Sequence, residues 1–212
     1  MSEIVAAEIQ RYAEDHTSDE PLLLKNIKRD TFADVLMPRM LSGHLQGRFL
    51  AAISRMIRPR TILEIGTYTG YSALCLLEGL QQGGKLITID VNEELEGRVR
   101  QYFMNAGVES SVDFRIGKAG DIIPTLDGPF DLVWLDADKD NYGLYYDQVI
   151  DKVHSGGWIL ADNVLWSGKV IGSDTDKDTR AIRAFNDKVM ADPRVRVVML
   201  PIRDGISLIQ RI

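Results

Sequence analysis

The chain has one cysteine, Cys75, among 212 residues, so no intrachain disulfide can form. That usage suits a reducing compartment, here expected to be the cytoplasm. No run approaches the roughly 18 apolar residues of a membrane span. The opening stretch MSEIVAAEIQRYAEDHTSDE is acidic and amphipathic, and it lacks the basic region and continuous apolar core of a secretory signal. Positive charge is in deficit: 25 Lys and Arg against 31 Asp and Glu leave a net charge of −6. Nucleic-acid backbones and anionic membranes attract the opposite balance, so neither is expected as a partner. Histidine is scarce and scattered (His16, His44, His154), without metal-ligand spacing. There is no Gly-x-Gly-x-x-Gly fingerprint, no Gly-Lys-Ser/Thr loop and no Gly-x-Ser-x-Gly elbow. Repeats and low-complexity tracts are also absent. With 45% hydrophobic and 26% charged residues, the remainder is ordinary globular composition for one domain.

What is present is alternation. Short apolar runs at Thr61–Gly66, Lys85–Asp90, Val112–Ile116, Phe130–Asp136 and Gly157–Asp162 read as strands. Helical patterns, such as Tyr71–Gln82 and Glu93–Asn105, lie between them. Near-continuous apolar strands separated by helices predict a mostly parallel α/β sheet with helices on both faces. Val195–Leu200 and Gly205–Ile209 follow each other too closely for a crossover, so the last strand should be antiparallel. Residues 1–58 read as extra N-terminal helices, with Ile4, Val5, Glu8, Ile9 and Tyr12 at helical spacing, and residues 59–212 as the sheet-containing core. These helices are expected to pack against the sheet, a partner subunit or a site. Cys75 is expected to be a small core hydrophobe.

Ligands of open parallel sheets bind beyond the carboxyl ends of the strands. Three of the five presumed parallel strands end in acids: Asp90, Asp136 and Asp162, the last followed by Asn163. Strand one runs into Glu64-Ile65-Gly66-Thr67-Tyr68-Thr69-Gly70-Tyr71-Ser72, whose glycines let a ligand approach the turn. An acid about 20 residues beyond such a turn, as Asp90 is, suits ribose hydroxyls and hence an adenosine-type nucleoside. Glu64, read as part of the loop, disfavours pyrophosphate and favours a cationic ligand such as a sulfonium. Asp136, Asp162 and Asn163 offer hard oxygen donors suited to Mg²⁺, although their spacing alone favours a reading as helix caps and turn residues. Lys139 is either a solvated charge or a general base. Trp166 is either core or the wall of an aromatic pocket.

LEIGTYTGYSAL, ITID, DLVWLDADKDNY and GGWILADNVLWSGKV together resemble the metal-dependent class I O-methyltransferases, the family of caffeoyl-CoA and catechol O-methyltransferases. YAEDHTSDEPLL, MLSGHLQGRFL and LPIRDGISLIQRI extend the likeness over most of the chain, in the family's order. The resemblance implies a seven-stranded Rossmann-like sheet with an antiparallel last strand. It implies that Met40, Ser42, Glu64, Gly66, Ser72, Asp90 and Ala119, with Asp136 adjoining, hold S-adenosylmethionine. It implies a divalent cation, Mg²⁺ with Mn²⁺ or Ca²⁺ as alternatives, on Asp136, Asp162 and Asn163. Lys139 matches the general base, making Lys139 and Asp136 the catalytic pair, and Trp166 and Asp204 match substrate-side positions. The implied reaction is methyl transfer to one hydroxyl of a vicinal dihydroxy phenol, in a homodimer. Tyr68 stands where the wider methyltransferase motif has glycine. Gln46 stands where plant caffeoyl-CoA enzymes carry an acid, and the HTS and LQGRFL segments look bacterial. Small catechols, free hydroxycinnamates and other diphenols therefore stay open as acceptors. A nicotinamide-dependent oxidoreductase and a catalytically silent cofactor-binding protein are the rival readings.

Overall fold

The computed structural model describes residues 5–212, so Ile4 of the N-terminal pattern lies outside the described residues. α1 (Ala7–Asp15) buries none of its side chains: Ile9 and Tyr12 are 63% and 65% exposed. The chain divides into two compact units, residues 11–118 and residues 119–212 with the segment up to Gln10.

In the unit of residues 11–118, α2 (Leu22–Asp34) and α3 (Gly43–Ile57) precede β1 (Thr61–Ile65). α4 (Tyr71–Leu77), β2 (Lys85–Asp90), α5 (Glu96–Asn105) and β3 (Val112–Ile116) follow. The last four residues of β1 are buried, as befits a strand covered on both faces. β2 pairs in parallel with β1 and β3, Ile89 opposite Ile65 and Asp90 opposite Ile116, so the three strands finish level. α3 packs against α4: Gly47 sits close against Tyr71 and Cys75, which is fully buried, and Ser54 Oγ donates to the Leu76 carbonyl at 2.5 Å. Cys75 is therefore a core residue, as expected.

The other unit contains α6 (Ala119–Ile122), β4 (Phe130–Leu135), α7 (Tyr142–Val149) and β5 (Val153–Asp162). α8 (Lys177–Ala191), β6 (Val195–Leu200) and β7 (Ile206–Arg211) complete it. β4 and β5 are parallel, whereas β7 runs antiparallel to both β5 and β6. The closing hairpin is as expected, and its second strand inserts between β5 and β6. The seven strands are ordered β3-β2-β1-β4-β5-β7-β6. Aromatic side chains are among the largest in this unit's core: Tyr142 and Tyr146 both meet the Phe185 ring edge-on, at 5.3 and 6.2 Å between centroids. Gly205 (φ +87°) ends the hairpin turn against Leu165, where a Cβ would stand 2.5 Å from Leu165 Cγ. Only glycine fits that conformation and that approach together. No helix among the described residues is long and apolar enough to cross a membrane.

Candidate active site

Each unit contributes one polar cluster at its strand ends. In residues 11–118, the chain leaves β1 through Gly66 (φ +103°), Tyr68 (φ +49°) and Gly70 (φ +78°) into α4. Glu64 is not in this loop, where the sequence placed it. It lies inside β1, fully buried, and accepts hydrogen bonds from Ser72 Oγ at 2.6 Å and Thr88 Oγ1 at 2.5 Å. Strand alternation turns its side chain into the sheet layer. It braces the turn through Ser72. Asp90 accepts from the Tyr68 N–H at 2.6 Å and the Asn92 N–H at 2.8 Å. A carboxylate has about four lone-pair sites, so Asp90 keeps acceptor capacity for a diol. Tyr68 also donates to the Leu36 carbonyl at 3.1 Å, tying the segment before Met40 to the turn. Met40 itself is exposed and Ser42, just ahead of α3, is buried. Ala119 is buried at the start of α6, in the other unit.

In that other unit, Leu135 of β4 pairs with Ala161 of β5. Asp136 follows β4 directly and Asp162 ends β5, one residue beyond this pair on each side. Asp162 is buried and accepts the Asn163 N–H at 2.8 Å, and Asn163 adopts a left-handed conformation (φ +58°) that asparagine tolerates. Asn163 Nδ2 lies 3.4 Å from Asp204 Oδ2, and Asp204 also accepts the Ser167 N–H. Burial raises the Asp204 carboxyl above its ordinary pKa, against the lowering effect of those donors. Lys139 Nζ lies 3.2 Å from Asp136 Oδ1 and donates to the Tyr142 hydroxyl at 2.7 Å. With 11% side-chain exposure, Lys139 is not the solvated surface charge of the bland reading.

Tyr142 closes the DLVWLDADKDNY segment, and the sequence reading gives it no role of its own. Its hydroxyl is the hub of this cluster. It lies 3.2 Å from the Leu135 carbonyl and 3.1 Å from the Asp162 carbonyl, so it joins the ends of β4 and β5 to Lys139. Burial, then the nearby Asp136, Asp162, Asp138 and Asp204, push its phenol well above the usual tyrosine range, so it stays neutral. Trp166 (φ +46°) is half-buried, and its indole N–H is buried without a hydrogen-bond partner.

The donors that gather here are oxygens. Among the described residues, no three His, Cys, Asp or Glu side chains converge closely enough to hold a metal ion. The candidate set needs the Asn163 amide as its third protein donor. An all-oxygen set, two carboxylates and an amide, fits a hard divalent cation that fills its remaining positions with water or substrate oxygen.

Residues 14–212 match the O-methyltransferase family profile. The caffeoyl-CoA O-methyltransferase of Mesembryanthemum crystallinum is 37% identical over 209 residues, 91% of this chain and 81% of that protein. That of Medicago sativa is 36% identical over 183 residues, 79% and 73% of the two chains. Among solved structures, an S-adenosylhomocysteine-bound methyltransferase of Podospora anserina superposes with a TM-score of 0.90 at 31% identity, covering 98% of this chain and 95% of its own. An O-methyltransferase of Bacillus cereus, also bound to S-adenosylhomocysteine, gives 0.89 at 29% identity, with 97% of each chain covered. The expected Rossmann-like methyltransferase fold is thus found, and the chain belongs to the O-methyltransferase family.

Proposed function

We propose that this chain transfers the methyl group of S-adenosylmethionine to one hydroxyl of a vicinal dihydroxy phenol, with a divalent cation at Asp136, Asp162 and Asn163. The observation that carries the reading is the Tyr142 hub, where one buried hydroxyl binds the ends of β4 and β5 and the Lys139 ammonium. It anchors a candidate proton acceptor at the ends of the two strands that run into Asp136 and Asp162. Solved relatives bound to S-adenosylhomocysteine support the donor. The glycine turn and the spare acceptors of Asp90 suit its ribose, with Gly66, Ser72, Met40 and Ser42 completing its surroundings.

Bound, the cation would supply positive charge that acidifies two adjacent phenolic hydroxyls. The chain's own groups do the rest. Tyr142 holds Lys139 Nζ where it can take the proton of the attacking hydroxyl. Asp204 holds Asn163 and the Ser167 amide in place. Trp166 walls the aromatic ring and shields the reacting hydroxyl from water. The named relatives act on caffeoyl-CoA, and a caffeoyl group carries the required diol. A homodimer in the cytoplasm completes the reading.

The test is transfer of labelled methyl from S-adenosylmethionine to caffeic acid and to its monohydroxy analogue. Turnover of the diol alone supports the reading. Equal turnover of both removes the chelation requirement, and binding of NADH in place of S-adenosylmethionine would move the chain to the oxidoreductase alternative.

A further inference from the structure

The loop after β5 carries Trp166, and its backbone is unusual. Trp166, Ser167 and Gly168 take φ of +46°, +54° and +78° in succession. For the two that are not glycine such a conformation is strained and persists only where the surroundings over-determine it. At its near end the loop is well held. Leu165 N–H donates to the Asp204 carbonyl at 2.9 Å, Ser167 N–H to the Asp204 carboxylate, and Asn186 Nδ2 of α8 to the Val164 carbonyl at 2.9 Å.

The far end, Lys169–Asp174, has no buried side chain, and Ile171 is 90% exposed. Apolar burial therefore does not fix it. Arg183 of α8 does. Its Nε donates to the Val170 carbonyl at 2.9 Å, Nη1 to Asp174 at 2.6 Å, and Nη2 to Lys169 and Gly172 at 2.6 Å each. Four backbone carbonyls thus converge on one guanidinium, which has no carboxylate partner among the described residues. The rigid fork of five N–H donors is suited to this, and a lysine ammonium is not. The other side-chain tie at this end is the exposed Lys169–Asp176 pair at 3.3 Å, a kind worth little.

We propose that Arg183 is a positioning residue for the methyl acceptor: by gathering the carbonyls of residues 169–174 it holds the loop that presents Trp166, and so sets acceptor affinity. This rests on the reading of Trp166 as a wall of the acceptor pocket. Arg183 contacts neither the methyl donor nor Lys139 in this role, so its loss should tax acceptor binding alone. If the ordered loop falls to about a tenth of the population, apparent acceptor affinity falls about tenfold, while a saturating acceptor restores the ordered state.

The experiment compares wild type, Arg183→Ala and Arg183→Lys in three readouts: kinetics with caffeic acid, calorimetric binding of S-adenosylmethionine, and hydrogen exchange of the 167–174 amides. Arg183→Ala should raise KM for caffeic acid about tenfold with kcat within about twofold. Donor affinity should be unchanged, and exchange should accelerate only in that loop. Arg183→Lys, which can satisfy one or two carbonyls, should fall between, and it supplies the result if the alanine variant does not fold. An unchanged KM with accelerated exchange would overturn the proposal, as would unchanged exchange, or parallel loss of kcat and donor affinity. If wild type itself fails to methylate any diol, the proposed reaction fails instead, and the exchange arm still decides whether Arg183 holds the loop.

Discussion

Replacing Tyr142 by phenylalanine removes one oxygen atom from the centre of the acidic cluster and leaves the ring against Phe185. The hydroxyl lies 3.2 Å from the Leu135 carbonyl, 3.1 Å from the Asp162 carbonyl and 2.7 Å from Lys139 Nζ. Its single proton serves one carbonyl at a time, so the substitution deletes about two hydrogen bonds, one from a charged donor. At about 1 kcal/mol for a neutral bond and about 2 kcal/mol for a charged one, the ceiling is about 3 kcal/mol. Lys139 keeps its contact with Asp136 and some solvent, which offsets part of the loss, so about 1.5–3 kcal/mol is expected. For a chain of this length that lowers Tm by about 3–12 °C. The catalytic cost is separate. An amine without its anchor samples more positions, and kcat should fall about tenfold while the affinity for S-adenosylmethionine stays the same. Differential scanning fluorimetry, steady-state kinetics and donor calorimetry read the three effects. A Tm within about 1 °C of wild type, together with unchanged kcat, would refute the hub role of this hydroxyl.

Burial raises the Cys75 thiol from 9.0 to about 12. Between those values the unfolded chain holds fewer protons than the folded one, so stability falls as pH rises. The wild-type slope should exceed that of Cys75→Ala by about 1.4 kcal/mol per pH unit, measured by urea unfolding above pH 9, and equal slopes would contradict the assignment. Gly79→Ala would place a Cβ 2.1 Å from the Ser54 carbonyl carbon and should cost stability by at least about 1–3 kcal/mol. Gly97→Ala, in α5 with nothing within 4 Å, should stabilise by up to about 1 kcal/mol. Both are read by chemical denaturation, and a gain at Gly79 or a clear loss at Gly97 would count against the packing described.

Much of this arrangement was legible in the sequence because strands and their acidic ends are local patterns. β2, β3 and β6 begin and end where the apolar runs do. The misreadings are tertiary. α4 stops at Leu77 rather than Gln82, because the chain at Gly79 must pass against the α3 backbone at Ser54. β5 starts at Val153, not Gly157. Gly156 (φ +88°) and Gly157 read as a boundary, whereas the strand carries them through a register shift opposite Phe130–Leu132. Glu64 looked like a loop acid facing a ligand. Its burial depends on Thr88 of the neighbouring strand, a partner that no local pattern reveals. Tyr142 and Arg183 sit on helices where an aromatic and a cation are unremarkable. Only the folded chain shows what the hydroxyl and the guanidinium hold. Asp136 and Asp162 were visible as strand ends, and pairing of Leu135 with Ala161 makes them neighbours.

That neighbouring pair is the centre of the proposed chemistry, and its dependence on a cation can be measured directly. Protein stripped with a chelator should lose methyl transfer to caffeic acid and regain it on titration with Mg²⁺, in step with calorimetric binding of the ion. Asp136→Ala should show neither the binding nor the recovery, while still binding S-adenosylmethionine. Full turnover in the stripped wild type, or Mg²⁺-restored turnover in Asp136→Ala, would contradict the assignment of Asp136, Asp162 and Asn163 as the site where a metal and a diol meet.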